Sequence, residues 1–301
     1  MSPLQWQLAG DAAQRYDAVL VPSFLGMAAL AVVNRVAPAP GECVVDVGCG
    51  TGAAARIARD RVGPTGRVIG FDVNRFMLKV ARAAAVGPAD GTAHGLAHDP
   101  AQDPAQDLAH DPAHEPADDS AEIEYREGDA RQLPLRDRWA DALVCSNTLQ
   151  FVPEKSVAVG QMARVLRPGG RLAIGVWEEL AHNPYFEVLS TAIAAVMGSQ
   201  VAQAVASACS LGAAADLWSL VSAGPFQDVK VETIQLDVAL GPLGDFIPRH
   251  IGATPMAAAF RAAGEDAVQE VVNRATFALG PPLSEGTAQM PFRLLIGSAV
   301  A

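Results

Sequence analysis

Val44-Val45-Asp46-Val47-Gly48-Cys49-Gly50-Thr51-Gly52 is the segment that most narrows the folds open to this chain. An apolar run meets an acid and then passes into three glycines that alternate with small residues. The pattern predicts a buried strand opening directly onto a helix. Gly48, Gly50 and Gly52 would let the backbone turn tightly and approach a ligand that any Cβ would push away. Twenty residues beyond Gly52, the second apolar run Arg67-Val68-Ile69-Gly70-Phe71 ends in Asp72. An acid at that strand tip can accept hydrogen bonds from both hydroxyls of a ribose, so a nucleoside-bearing cofactor is expected.

Short apolar runs recur near 43–47, 67–71, 123–126, 141–145 and 171–176, and helical patterns fill the intervals, most clearly at 53–62, 74–84 and 156–165. That alternation predicts an α/β fold with a doubly wound, mainly parallel sheet. In such a sheet, ligands sit beyond the carboxyl ends of the strands. Two later apolar runs, 229–240 and 291–299, are available to complete a seven-stranded sheet. Pro168-Gly169-Gly170 is expected as a helix stop and turn.

The glycine turn alone leaves two cofactors open, because Gly48-x-Gly50-x-x-Ala53 also fits the dinucleotide fingerprint of an NAD-dependent oxidoreductase. Asp46 weighs against the dinucleotide. A carboxylate inside the turn would repel a pyrophosphate but would suit the ammonium and sulfonium of S-adenosylmethionine.

With these residues the chain resembles the class I S-adenosylmethionine-dependent methyltransferases. The resemblance continues through Glu127-Gly128-Asp129-Ala130, Asp141-Ala142-Leu143-Val144-Cys145-Ser146-Asn147 and Arg164-Val165-Leu166-Arg167-Pro168-Gly169-Gly170-Arg171-Leu172. Leu149-Gln150-Phe151, Trp177 and Asn183-Pro184-Tyr185 are most similar to the small-molecule branch related to the ubiquinone and menaquinone biosynthesis methyltransferases. The resemblance implies a Rossmann-like methyltransferase fold with its last strand antiparallel. It also implies that Asp129, with Ala130 beside it, meets the adenine, that Val73 and Met77 flank the cofactor site near Asp72, and that Tyr16 lies near the methionine end. Asn147 and Gln150 offer amides just past the fourth strand, to the cofactor or to the methyl acceptor. A cyclase or rearrangement enzyme that retains the cofactor, or a partner subunit without turnover, would carry the same motifs.

The formal net charge of −11 argues against a nucleic-acid partner, which calls for a basic surface. Eight of the acids lie between Gly87 and Ala121 without any Lys or Arg, so the rest of the chain is nearly neutral. That stretch, expected at 88–121, is a tetrapeptide repeat from Ala97-His98-Asp99-Pro100 to Ala113-His114-Glu115-Pro116. Its regular prolines and alanine-only apolar content predict a disordered insertion with nothing to bury. His94, His98, His110 and His114 are not expected to form a metal site. Four cysteines without paired spacing suggest neither disulfides nor zinc, which fits a cytoplasmic location. The apolar stretch from Ala18 to Val33 contains Pro22, Ser23 and Gly26 and lacks a basic segment before it, so neither a membrane span nor a signal peptide is expected.

A single domain over 1–301 is expected. Within it, a helical cap at 1–36 and alanine-rich lid segments at 183–225 and 242–288 would close over a small, lipophilic substrate. A homodimer stays open. His182 and His250 are the histidines outside the repeat, and an imidazole can take a proton from an acceptor near neutral pH. His182 just follows the fifth strand, so it is the first candidate base and His250 the second.

Overall fold

The computed structural model describes residue 8, residues 10–85 and residues 123–301. The tetrapeptide repeat, with His98, His110 and His114, and His94 just before it lie outside the described residues. Seven strands form one sheet: β1 (Cys43–Val47), β2 (Arg67–Asp72), β3 (Ile123–Glu127), β4 (Ala140–Ser146), β5 (Leu166–Trp177), β6 (Gln227–Val238) and β7 (Met290–Val300). Their order is β3-β2-β1-β4-β5-β7-β6. β1 to β5 run parallel, and β7 is antiparallel to both β5 and β6. The mainly parallel sheet and the reversed last strand are as expected. β1 and β4 are buried along nearly their whole length, as strands covered on both faces must be, whereas edge strand β6 is buried only at Leu236 and Val238.

The helices are α1 (Ala12–Leu20), α2 (Gly26–Val36), α3 (Ala53–Val62), α4 (Arg75–Ala85), α5 (Lys155–Val165), α6 (Pro184–Met197), α7 (Ser199–Ala206), α8 (Ala214–Ser222), α9 (Leu243–Gly252), α10 (Ala257–Ala263) and α11 (Glu265–Leu279). Successive strand residues point to opposite faces and so serve two cores. Val44, Val68, Ala142 and Ala173 join the core that α2, α3 and α6 cover, while Val45, Ile69, Leu143 and Leu172 join the core under α5 and α8. Burying each Val or Leu in these layers contributes about 1.5–3 kcal/mol over leaving it exposed. α2 approaches β5 closely because Gly175 has no side chain, since a Cβ there would stand 2.4 Å from Val32 Cγ2.

Between α1 and α2 the chain makes a π-helical turn, Val21–Leu25, with Pro22 in its first turn. Proline brings no amide hydrogen to the helix ladder, and the widened turn accommodates it, closing through the Gly26 amide donating to the Val21 carbonyl. The joined helix over 12–36 is long and apolar enough to cross a membrane by composition. Here Ala28, Ala29, Val32, Val33 and Val36 instead bury its inner face against the sheet.

Two expectations are corrected. The lid segment 183–225 divides: α6 and α7 lie in the first core, but α8 covers the opposite face of the sheet, its Leu217 packed against Gly297 of β7. Pro168-Gly169-Gly170 is not a stop between a helix and a new strand. α5 gives way to extended backbone at Leu166, and the three residues bulge within the long β5 between its pairings with Ala140 and Ala142. Gly169, at φ 78°, donates from this bulge to the Ala301 carbonyl.

Candidate functional site

The order of strands reverses at β1, whose two neighbours β2 and β4 leave in opposite directions, and the crevice at such a switch point is where this class of sheet binds ligands. A cleft of about 220 Å³ opens there. It is lined by Asp46, Gly48 and Gly50 at and beyond the end of β1, Asp72 and Val73 at and beyond the end of β2, Asp129 and Ala130 after β3, and Asn147 after β4, while Tyr16 and Met77 close it from α1 and α4. The structure thus brings ten of the expected cofactor residues together.

Asp72 is held by its surroundings. Its Oδ2 accepts from the Gly50 amide at 2.8 Å and its Oδ1 from the Asn74 amide at 2.7 Å. A carboxylate has about four lone-pair sites, so these bonds leave acceptor capacity to spare. Burial nevertheless raises its pKa. Asp46 is 1% exposed, and its Oδ2 lacks a hydrogen-bond partner among the described residues. Burial, with some help from the Asp72 charge, pushes its pKa up to about 7. Burial and the nearby Asp72 raise the Tyr16 phenol, which keeps it a neutral hydroxyl. Asp129 is pinned by Arg131, whose guanidinium hydrogen-bonds both carboxylate oxygens and holds the pKa below its usual value.

The three glycines separate by role. A Cβ on Gly48 would lie 2.0 Å from Thr148 Cγ2, and one on Gly52 would lie 2.2 Å from Tyr125 Oη. Those two positions are reserved for the chain's own side chains, and Gly52 does not line the cleft. The expectation that all three make room for a ligand is corrected by these contacts. Only Gly50, at φ 54° with nothing within 4 Å of a built Cβ, faces open space.

Asn147 divides this cleft from a second, inner cavity of about 50 Å³. Its backbone is left-handed at φ 51°, a conformation asparagine tolerates, and its amide group has no hydrogen-bond partner among the described residues. Tyr16, Leu25, Asn147 and Phe151 line both spaces. The inner walls combine aliphatic side chains with a cluster of aromatic rings: Phe24 from the π-helical turn, Trp177 from the end of β5 and Phe186 from α6 lie with ring centroids 5.7–5.8 Å apart. Gln150 lines this inner cavity and not the cleft, and its amide also lacks a partner among the described residues.

The two histidines part company. His182 sits in a short 3-10 turn, with its side chain 45% exposed and Nδ1 3.3 Å from Glu178, and it lines neither cavity. β5 ends at Trp177, and the chain beyond it turns outward, so sequence proximity to a strand end does not deliver this imidazole to the site. His250, from the distant α9, is 4% exposed and lines the inner cavity. Its Nδ1 lies 2.7 Å from the hydroxyl of buried Tyr185. Burial pulls the His250 pKa down to about 4. Sequence reasoning missed the pairing of Tyr185 with His250, since no spacing links residues on α6 and α9. It also missed Phe24, for which Pro22 inside an apolar helix was a signal of a widened turn.

Two models described as a methyltransferase domain match residues 39–86 and 99–174. Over 138 residues, 46% of this chain and 28% of the relative, it is 31% identical to an arsenite methyltransferase of Halobacterium salinarum. Over 171 residues, 54% of this chain and 55% of the relative, it is 30% identical to the ubiquinone/menaquinone biosynthesis C-methyltransferase UbiE of Saccharophagus degradans. The chain spans from about a quarter to about half the length of these curated relatives. Among solved structures, the Haemonchus contortus phosphoethanolamine N-methyltransferase 2, determined in complex with S-adenosyl-L-methionine, shares the fold at a TM-score of 0.52 and 17% identity. That match covers 90% of this chain and 51% of the other.

Proposed function

We propose that this chain is a class I S-adenosylmethionine-dependent methyltransferase that transfers a methyl group from S-adenosylmethionine to a small lipophilic molecule. The observation that carries the reading is a polar cleft with orphaned buried groups, joined through Asn147 to a cavity walled by aromatic rings. The residues fit the cofactor. Asp46 Oδ2 and the Asn147 amide are buried polar atoms without partners among the described residues, and such groups cost about 1–3 kcal/mol each unless something satisfies them.

In this reading the remaining acceptor capacity of Asp72 takes the ribose hydroxyls, and Gly50 lets the backbone come close to them. Asp129 receives the adenine amino group, and Asp46 offers negative charge toward the cationic methionine portion. When bound, S-adenosylmethionine supplies a methyl on a sulfonium, a carbon already activated for in-line displacement. The chain's part is positioning and exclusion of water, which can account for most of the rate of such a transfer. Phe24, Trp177 and Phe186 hold a flat apolar acceptor, and Tyr16 and Asn147 stand where the two spaces meet.

S-adenosylmethionine should bind the full chain with one site by calorimetry and raise its Tm, because only the folded chain presents the cleft. With a methyl-labelled donor and a panel of apolar aromatic acceptors, label should enter an organic product heavier by one methyl. Stabilisation by NAD in place of S-adenosylmethionine would overturn the cofactor. An isomerised product without label would favour a rearrangement. His182→Ala should leave cofactor affinity and methyl transfer within about twofold of wild type, as expected for a solvent-screened surface pair. A tenfold loss of transfer in that variant would return His182 to the site.

A further inference from the structure

Hydrogen-bond accounting in the inner cavity assigns a role to His250 opposite to that of a base. Tyr185 is 1% exposed, with its ring against Phe186, Phe246 and Phe292. Its hydroxyl makes one hydrogen bond among the described residues, to His250 Nδ1 at 2.7 Å. A buried O–H that donates to nothing costs about 1–3 kcal/mol, so the hydroxyl gives its proton to Nδ1. Nδ1 then acts as acceptor and carries no hydrogen. In a neutral imidazole the single ring proton must therefore sit on Nε2. Neutrality follows from the surroundings: His250 is 4% exposed among aromatic rings, its burial holds the pKa down, and no Asp, Glu, Lys or Arg among the described residues lines the cavity.

Tyr185 occupies the Nδ1 edge of the ring and does not itself line the cavity, whereas His250 does. The edge left to face the cavity carries Nε2–H, which has no acceptor among the described residues. We propose that His250 is a hydrogen-bond donor that selects an uncharged, flat acceptor molecule bearing a carbonyl or comparable oxygen, and that Tyr185 is the positioning residue that fixes its tautomer. This rests on reading the inner cavity as the place of the methyl acceptor. The aromatic walls accept a planar ring, the absence of charged lining disfavours cations and phosphates, and a single fixed N–H singles out molecules with an oxygen to receive it. Gln150 carries both a donor and an acceptor, so it does not discriminate between classes.

The test uses the full chain labelled with ¹⁵N-histidine at pH 7 and reads the tautomer directly. The His250 signals are assigned by their loss in His250→Gln or, should that variant fail to fold, by elimination with His182→Gln and replacement of His94, His98, His110 and His114. The expected result is a proton on Nε2 and none on Nδ1 in the wild type, with loss of that strict preference in Tyr185→Phe. Acetophenone should shift the Nε2 resonance and bind about fivefold tighter than ethylbenzene, which lacks the oxygen, a ratio in line with one neutral hydrogen bond. A proton on Nδ1, an imidazolium at pH 7, or equal affinity for the two probes would overturn the proposal. Neither readout needs methyl transfer. Failure of S-adenosylmethionine to bind would sink the proposed function while leaving the tautomer result standing, and the reverse combination would sink this inference alone.

Discussion

Gly50→Val is expected to lower affinity for S-adenosylmethionine by about 100-fold or more while the chain still folds, whereas Gly48→Ala is expected to impair folding itself. Both glycines have positive φ, 54° and 71°, so any side chain at either carries about 1–2 kcal/mol of backbone strain. They differ in what the side chain meets. At Gly48 a Cβ lands 2.0 Å from Thr148 Cγ2 and 2.4 Å from Thr148 Oγ1, and the same hydroxyl donates to the Gly48 carbonyl at 3.0 Å. The Gly48 amide is also tied to the Phe71 carbonyl at 2.7 Å, so the turn cannot move aside without loosening β1 from β2. At Gly50 a Cβ enters empty cleft, and the valine methyls would occupy the space beside Asp72 that the ribose needs. Calorimetric titration and thermal unfolding on the two variants separate these costs. Wild-type cofactor affinity in folded Gly50→Val would remove the cofactor from this cleft.

That contrast shows what local pattern can and cannot convey. Strands β1, β2 and β4 were legible because parallel strands covered on both faces must be apolar nearly throughout, and Ala53–Val62 was legible because its helical pattern follows directly on the glycine turn. Most of the cleft residues were legible for the same reason, since they sit at the tip of a strand whose end could be read; Tyr16 and Met77, on α1 and α4, came from the family resemblance. Which glycine faces ligand and which faces Thr148 or Tyr125 depends on side chains about 100 and 73 positions away, and no local spacing encodes that. The inner cavity is the extreme case. Phe24, Trp177, Tyr185 and His250 come from four separate elements, and only packing makes them neighbours. His182 was favoured over His250 by chain order, yet the turn after β5 pairs it with Glu178 at the surface, while a helix more than 60 residues on supplies the buried imidazole.

Asp46 should link cofactor affinity to pH with a sign opposite to its effect on stability. Burial raises its folded pKa to about 7, above the ordinary 3.8 that it regains when unfolded. Between those values the folded chain binds more protons than the unfolded one. Asp46 therefore contributes stability in full below about pH 4 and loses it as pH rises through about 7. Without ligand, the wild-type Tm should thus fall from pH 5 to pH 7.5 more steeply than that of Asp46→Asn, whose amide does not titrate. Asp72 is raised in the same direction and adds its own slope to both proteins, so the difference between them isolates Asp46. Affinity runs the other way. A cationic methionine portion favours the carboxylate, so binding of S-adenosylmethionine should strengthen from pH 5 to 7 by about tenfold in all, most steeply between about pH 6 and 7 and levelling on either side. Asp46→Asn should flatten that profile and leave affinity near neutral pH about tenfold weaker, close to the value of one lost charge-assisted contact. An undiminished pH slope of affinity in Asp46→Asn would mean that the titrating group is another, with Asp72 the next carboxyl to replace.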